Sequence, residues 1–187
     1  MTGPGTEQNK TGREAVLFAL LMPWGRVGSH LLATAFSETP GVRVENEPTT
    51  SIRTHGHKAG LSLSEIGEQQ MQHLEAFVDA GSAGQVGAGL KLSHRSLVDQ
   101  PGYLHRLSEL GFRLVLMVRR NHLKCAVSQL RALARAQRGR RETPWASPWA
   151  VMTDEPKPGP EPIDVAEAIR LTGVFEALHQ KMMDRVQ

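Results

Sequence analysis

The chain has 187 residues, enough for one α/β domain with a full core and too few for two. With 40% hydrophobic and 22% charged residues, its composition is that of a soluble globular chain, not a disordered or fibrous one. The net charge of +3 is unevenly placed: Arg113 to Arg141 holds nine Lys or Arg and no Asp or Glu, a stretch that favours an anionic ligand.

Residues 1–13 are polar and Gly-rich and are expected to be disordered. They lack a charged segment leading into an apolar one, so no secretory signal is read and a cytoplasmic protein is expected. Ala15 to Met22 is a continuous apolar run ended by Pro23, which suits a buried parallel strand and is too short to span a bilayer. Gly25 to Ser29 reads as a tight turn. His30 to Ser37 reads as a helix closed by Thr39-Pro40-Gly41, and Val42 to Val44 as a short second strand. Residues 49–61, with their Thr, Ser, Gly and His, look like a loop. Ser62 and Glu65 form a capping-box pattern, after which Ile66, Gln70, Leu74, Phe77 and Val78 run at helical spacing to Gly81.

Gln85 to Leu92 is a third strand. Pro101 to Leu110 is a helix stopped by Gly111, and Phe112 to Val118 is the clearest strand of all. Asn121 can cap the next helix, with an apolar stripe of Leu123, Val127, Leu130 and Ala134. Cys125, the single cysteine, falls in this helix. It excludes an internal disulfide and a thiolate zinc site, and a buried apolar role is expected for it. Residues 139–162 hold more than half of the prolines, with Trp145 and Trp149, and read as a long loop of the lid or linker kind. Val165, Ile169, Thr172, Phe175 and Met182 mark a final helix. Strands alternating with helices predict an α/β fold, a central parallel sheet with helices on both faces, whose ligands bind at the carboxyl ends of the strands.

Two segments fall at such ends. The first is Pro23-Trp-Gly-Arg-Val-Gly-Ser-His-Leu-Leu32, between the first strand and the first helix. This context gathers free backbone N–H groups at the positive end of a helix. Gly28 allows close approach of an anion, Arg26 adds a charged fork and Ser29 a hydroxyl. An ordinary glycine turn would have the same outline. The lysine of a GxxxxGK[ST] phosphate loop is not filled, which argues against ATP or GTP chemistry. The second segment is Arg119-Arg120 through Ser128, where an arginine at a strand's end and a hydroxyl two turns into a helix make a compact anion site.

Together the two segments resemble the PAPS-dependent sulfotransferase superfamily, in particular its carbohydrate and bacterial trehalose-type members. The family's 5'-phosphosulfate loop looks like RSGST-L-L, standing here as Arg26-Val27-Gly28-Ser29-His30-Leu31-Leu32. Its 3'-phosphate motif, an Arg followed eight residues later by Ser, stands here as Arg120 to Ser128. Pro40 and Glu47-Pro48 match a Pro and a Glu-Pro pair at the family's spacing from the loop serine. The match covers roughly residues 15–48 and 86–137. Val27 replaces the usual Ser, and His30 a hydroxyl residue. Family members continue past the helix that ends here at Gln187, through a strand and an acidic segment, so a fragment or a compact variant is expected.

The resemblance implies a three-layer α/β/α, P-loop-like sulfotransferase domain over residues 14–187. It implies PAPS as sulfuryl donor, PAP as product, and a hydroxyl of a carbohydrate, glycolipid or similar small molecule as acceptor. Residues Arg26, Val27, Gly28, Ser29, His30 and Leu31 would hold the 5'-phosphosulfate, and Arg120 with Ser128 the 3'-phosphate. Glu47 would be the general base, with Arg26 also catalytic. Glu45, two residues away on the expected strand face, is the alternate base. No metal is expected, because a sulfuryl group carries less charge than a phosphoryl group. Lys91, at the end of the third strand, is a candidate to face the cofactor. His55 and His57 read as surface loop, not ligands. Trp145 and Trp149 either stack on a sugar or pack on the core.

Arg131, Arg135 and Arg138 share a helix face and are expected to be solvated; no nucleic-acid partner is expected. Two alternatives stand beside the sulfotransferase. One is a non-catalytic PAP-, nucleotide- or partner-binding protein on the same fold. The other, disfavoured by the missing lysine, is a P-loop-type kinase.

Overall fold

The computed structural model describes residues 15–80, 85–138, 159 and 162–186. The chain splits into two compact units, Met1–Met22 with Gly28–Leu116, and Pro23–Val27 with Met117–Gln187. The expected disordered segment 1–13, Trp145, Trp149 and nearly all of the proline-rich stretch lie outside the described residues.

The first unit runs β1 (Val16–Met22), α1 (Ser29–Ser37), β2 (Val42–Asn46), α2 (Pro48–Lys58), α3 (Leu63–Asp79), β3 (Gly87–Ser93), a 3-10 turn (His94–Ser96), α4 (Gln100–Glu109) and β4 (Arg113–Leu116). Its four strands form one parallel sheet in the order β2-β3-β1-β4. Register shows which helix covers which face. Phe18 pairs with Gly89 and Gly89 with Val44, so these three share a face. On that face the Phe18 ring meets Phe36 of α1, with centroids 5.1 Å apart. Arg43 and Glu45 alternate to the other face, where Arg43 stacks 4.4 Å from the centre of the Phe77 ring and His73 Nε2 lies 2.9 Å from Glu45 Oε2, both partners being on α3. Helices therefore cover both faces, giving the expected three-layer α/β/α arrangement around a parallel sheet.

Burial follows from that layering. Every residue of β3 is buried, as are Ala19 to Met22 of β1. Each Leu or Met so enclosed contributes roughly 1.5–3 kcal/mol. Gly89 is the tighter of the two glycines of β3: a Cβ there would run into the Phe18 ring. The capping box at the start of α3 is present, with Ser62 and Glu65 bonded reciprocally, and Ile66, Gln70, Leu74 and Phe77 form its buried stripe.

Expectations for α2, β4 and the last helix are corrected. Residues 49–61 are not a loop: α2 occupies 48–58, with Pro48 in its first turn, where no N–H is needed. Its buried residues are Thr49 and Gly56, so it carries no apolar stripe to betray it. The segment Phe112 to Val118 shortens to the four residues of β4, an edge strand paired to β1 whose Leu114 and Val115 are exposed. In the last helix Val165 and Ile169 are exposed, and the buried line is Ala168, Leu171, Phe175 and Met182.

The second unit contains α5 (His122–Arg138), α6 (Val165–Val186) and the loop Pro23–Val27. Its core is Cys125, Ala126, Leu171 and Phe175, with Trp24 and Leu130 packed against it. The rings of Trp24 and Phe175 lie 4.9 Å apart. Asn121 caps α5 as expected, its Oδ1 accepting from Lys124 N at 2.8 Å. The stripe of α5 is rotated from the expected one: Leu123 is exposed, and Cys125, Ala126, Gln129, Ala132 and Arg135 are buried.

Candidate functional site

The start of α1 carries no side-chain cap. Gly28 is its N-cap, at φ 90° and ψ 9°. The first N–H groups of the helix thus lack a side-chain partner. An added Cβ at Gly28 would meet nothing within 4 Å, so the space is open; the left-handed backbone is what calls for glycine. His30 and Leu31 are exposed, Leu31 at 78%. Ser29 departs from its expected part as a hydroxyl donor to a ligand. It is buried, and its hydroxyl donates to Met22 Sδ at 2.9 Å, which leaves only its backbone N–H to offer.

In the second unit, Arg26 is held at φ 72°, a conformation that side chains rarely adopt. Its guanidinium donates to Ser128 Oγ twice, from Nε at 2.8 Å and from Nη2 at 2.7 Å. Two residues 102 positions apart, one from each of the two candidate segments, are therefore in direct contact. The Arg26 carbonyl accepts from Arg119 Nη1 at 3.1 Å and lies 3.9 Å from Cys125 Sγ. Burial first, then the charges of Arg135 and Arg119, pulls the Arg26 guanidinium below the ordinary arginine value. Burial likewise raises the Cys125 thiol, against the pull of Arg119 and Arg26.

Val27 is half-buried, and the Arg120 side chain is exposed. No hydrogen bond among the described residues joins Arg120 to Ser128; its neighbour Arg119 turns to the loop instead. Arg135, expected to be solvated, is 6% exposed and donates from Nε to the Arg131 carbonyl at 3.2 Å.

Glu47 is the only other non-glycine residue with positive φ among those described, at 53°. It is the N-cap of α2, and its N–H donates to the Lys91 carbonyl at 3.0 Å, extending the β2–β3 ladder by one residue. Its carboxylate receives Lys91 Nζ at 2.7 Å on Oε1 and Thr50 Oγ1 at 3.3 Å on Oε2. The Lys91 side chain is 5% exposed and that of Glu47 33%, so the carboxylate remains reachable from solvent while its ammonium partner is enclosed. Lys91 shares the α1 face of the sheet with Gly89, and the amino end of α1 follows the carboxyl end of β1.

Glu45 does not share this position. It is paired with Arg43 and His73 on the α3 face, because the left-handed turn at Glu47 ends the strand's alternation.

A buried polar network supports the start of α2, and nothing in the sequence pattern singled it out beyond the place of Gln70 in the α3 stripe. Gln70 Nε2 donates to the carbonyls of Thr49 and Ser96, both at 2.9 Å, and its Oε1 accepts from Val98 N at 3.0 Å. Thr49 and Ser96 hydroxyls meet at 2.9 Å. His55 and His57 are exposed on α2, two positions apart and so on different sides of it. Among the described residues no group of three or more His, Cys, Asp or Glu could hold a metal ion, and no helix is long and apolar enough to cross a membrane.

Comparison of the chain with protein-family models, curated proteins and solved structures finds no match.

Proposed function

We propose that the chain transfers a sulfuryl group from PAPS to a hydroxyl of a carbohydrate, glycolipid or similar small acceptor. The observation that supports this reading is the double hydrogen bond from Arg26 to Ser128, which brings one residue of each candidate anion-binding segment to the other. The donor set suits the nucleotide. A guanidinium and a hydroxyl recognise a phosphate, and the uncapped amino end of α1 with an open glycine N-cap suits a second anionic group. The loop lacks the lysine that a nucleoside triphosphate would call for.

Roles are assigned residue by residue. PAPS, when bound, supplies the activated sulfuryl group. Arg26 and the N–H groups of Gly28, Ser29, His30 and Leu31 hold the 5' end. Ser128, with Arg120 brought in from solvent, holds the 3'-phosphate. Glu47 takes the proton of the acceptor hydroxyl. Its left-handed backbone, its ladder bond to Lys91 and the Lys91 ammonium fix the carboxylate before the acceptor arrives.

The test is transfer of labelled sulfate from PAPS to a panel of hydroxyl acceptors. Wild-type protein is expected to label at least one, and Glu47→Gln to lower the rate by about 10²–10⁴-fold. Transfer that survives Glu47→Gln removes Glu47 from the mechanism. PAP binding without transfer to any acceptor would favour the non-catalytic nucleotide-binding alternative.

A further inference from the structure

Of the two adjacent arginines at the end of the β4 segment, only Arg120 stands in the phosphate motif, yet it is Arg119 that reaches the loop. Arg26 is fixed at both ends. Its guanidinium is tied to Ser128, which sets where the side chain points. Its carbonyl is tied to Arg119, which sets the plane of the peptide between Arg26 and Val27. A residue at φ 72° keeps such a conformation only where its surroundings over-determine it, and these two ties do so.

The choice of an arginine for the carbonyl tie is informative. A neutral amide could donate to a carbonyl without setting a second cation beside Arg26. The Arg119 and Arg26 guanidiniums repel each other, and an anion shared between them relieves that repulsion. We infer that Arg119 is a positioning residue: it clamps the Arg26 carbonyl and thereby holds the Arg26 side chain in place for an anionic ligand, acting through Arg26 and not as the motif's own phosphate contact. The ligand's identity as a nucleotide phosphorylated at both 5' and 3' positions rests on the sulfotransferase reading; the clamp itself does not.

A reporter for the clamp is built into the unit. Cys125 is the only cysteine, is 1% exposed and faces the Arg26 carbonyl. Its reaction with an aromatic disulfide reagent under native conditions reads how often the loop lifts away, with no nucleotide present. Loss of a hydrogen bond made by a charged group should raise that opening about tenfold or more. Arg119→Ala is therefore expected to speed labelling by that factor and to weaken PAP binding measured by calorimetry. Arg119→Lys, which keeps a cationic donor, is expected to recover most of the protection. Arg120→Ala is expected to weaken PAP binding while leaving the labelling rate within about twofold.

Unchanged labelling in Arg119→Ala overturns the clamp, as does equal acceleration in Arg119→Ala and Arg120→Ala. A wild-type protein that does not bind PAP overturns the nucleotide reading instead, and the labelling series still decides the clamp. Should Arg119→Ala fail to fold, the comparison of Arg119→Lys with Arg120→Ala decides it: faster labelling in Arg120→Ala than in Arg119→Lys is the contrary result.

Discussion

The two units hold their strained residues by different means. In the sheet-bearing unit, Glu47 is placed by main chain: its N–H continues a β-ladder to Lys91, and its carbonyl accepts from Thr50 and Ser51 in the first turn of α2. In the two-helix unit, Arg26 is placed by side chains, through Ser128 and Arg119 and through the packing of its neighbour Trp24 against Phe175. A main-chain frame survives loss of the side chain it carries. A frame made of side chains does not. A rigid seat suits a group that must meet a proton in one geometry. A seat made of guanidinium and hydroxyl contacts suits a group that must exchange those contacts for a ligand's.

The largest expected effect strikes the main-chain frame where it has no slack. Gly89→Ala drives a methyl into the Phe18 ring, which is backed by Phe36. A loss of about 1–3 kcal/mol is expected, seen as a lower denaturant midpoint with unchanged slope. No loss would mean that β1 and β3 yield at this point and that the frame is softer than described. Substituting glycine at the two strained positions sharpens the contrast further. Arg26→Gly relieves backbone strain and removes the Ser128 bonds together, so a net change of about 1 kcal/mol is expected, with faster labelling of Cys125. Glu47→Gly relieves comparable strain and keeps the ladder bond. The enclosed Lys91 ammonium loses its carboxylate partner, a cost that the strain relief only partly offsets, so a net loss of about 1 kcal/mol is expected, with amide exchange at Thr50 and Ser51 within about threefold of wild type. Faster exchange at Glu47→Gly than at the Arg26 loop in Arg26→Gly would reverse the comparison.

The sequence was most legible where burial is continuous or a local motif is complete. The run Ala15 to Met22, the capping box of Ser62 with Glu65, and the Gly111 stop each rest on one local physical cause, and each is present in the structure. Legibility failed where small or polar residues line a packed face. The α2 helix buries Thr49 and Gly56, and α5 turns Cys125, Ala126, Gln129, Ala132 and Arg135 inward while Leu123 stays exposed, so counting large apolar residues misplaced both. At the candidate site, the resemblance pointed to Arg26, Ser128 and Glu47, and the first two are in contact. It could not bring out Arg119 over Arg120, because which of two adjacent arginines turns to the loop is decided by the strand's exit and not by residue type. The Gln70 network escaped for a related reason: its bonds run to backbone carbonyls and a backbone N–H, groups that nearly every residue has.

The most direct measurement is calorimetric titration of the purified protein with PAP and, separately, with ATP and Mg²⁺. The account predicts that PAP binds more tightly than Mg-ATP and that Arg26→Ala and Ser128→Ala each weaken PAP by about tenfold or more, the loss of hydrogen bonds made by a charged group. Binding of Mg-ATP in preference to PAP, or PAP affinity indifferent to both substitutions, would contradict it.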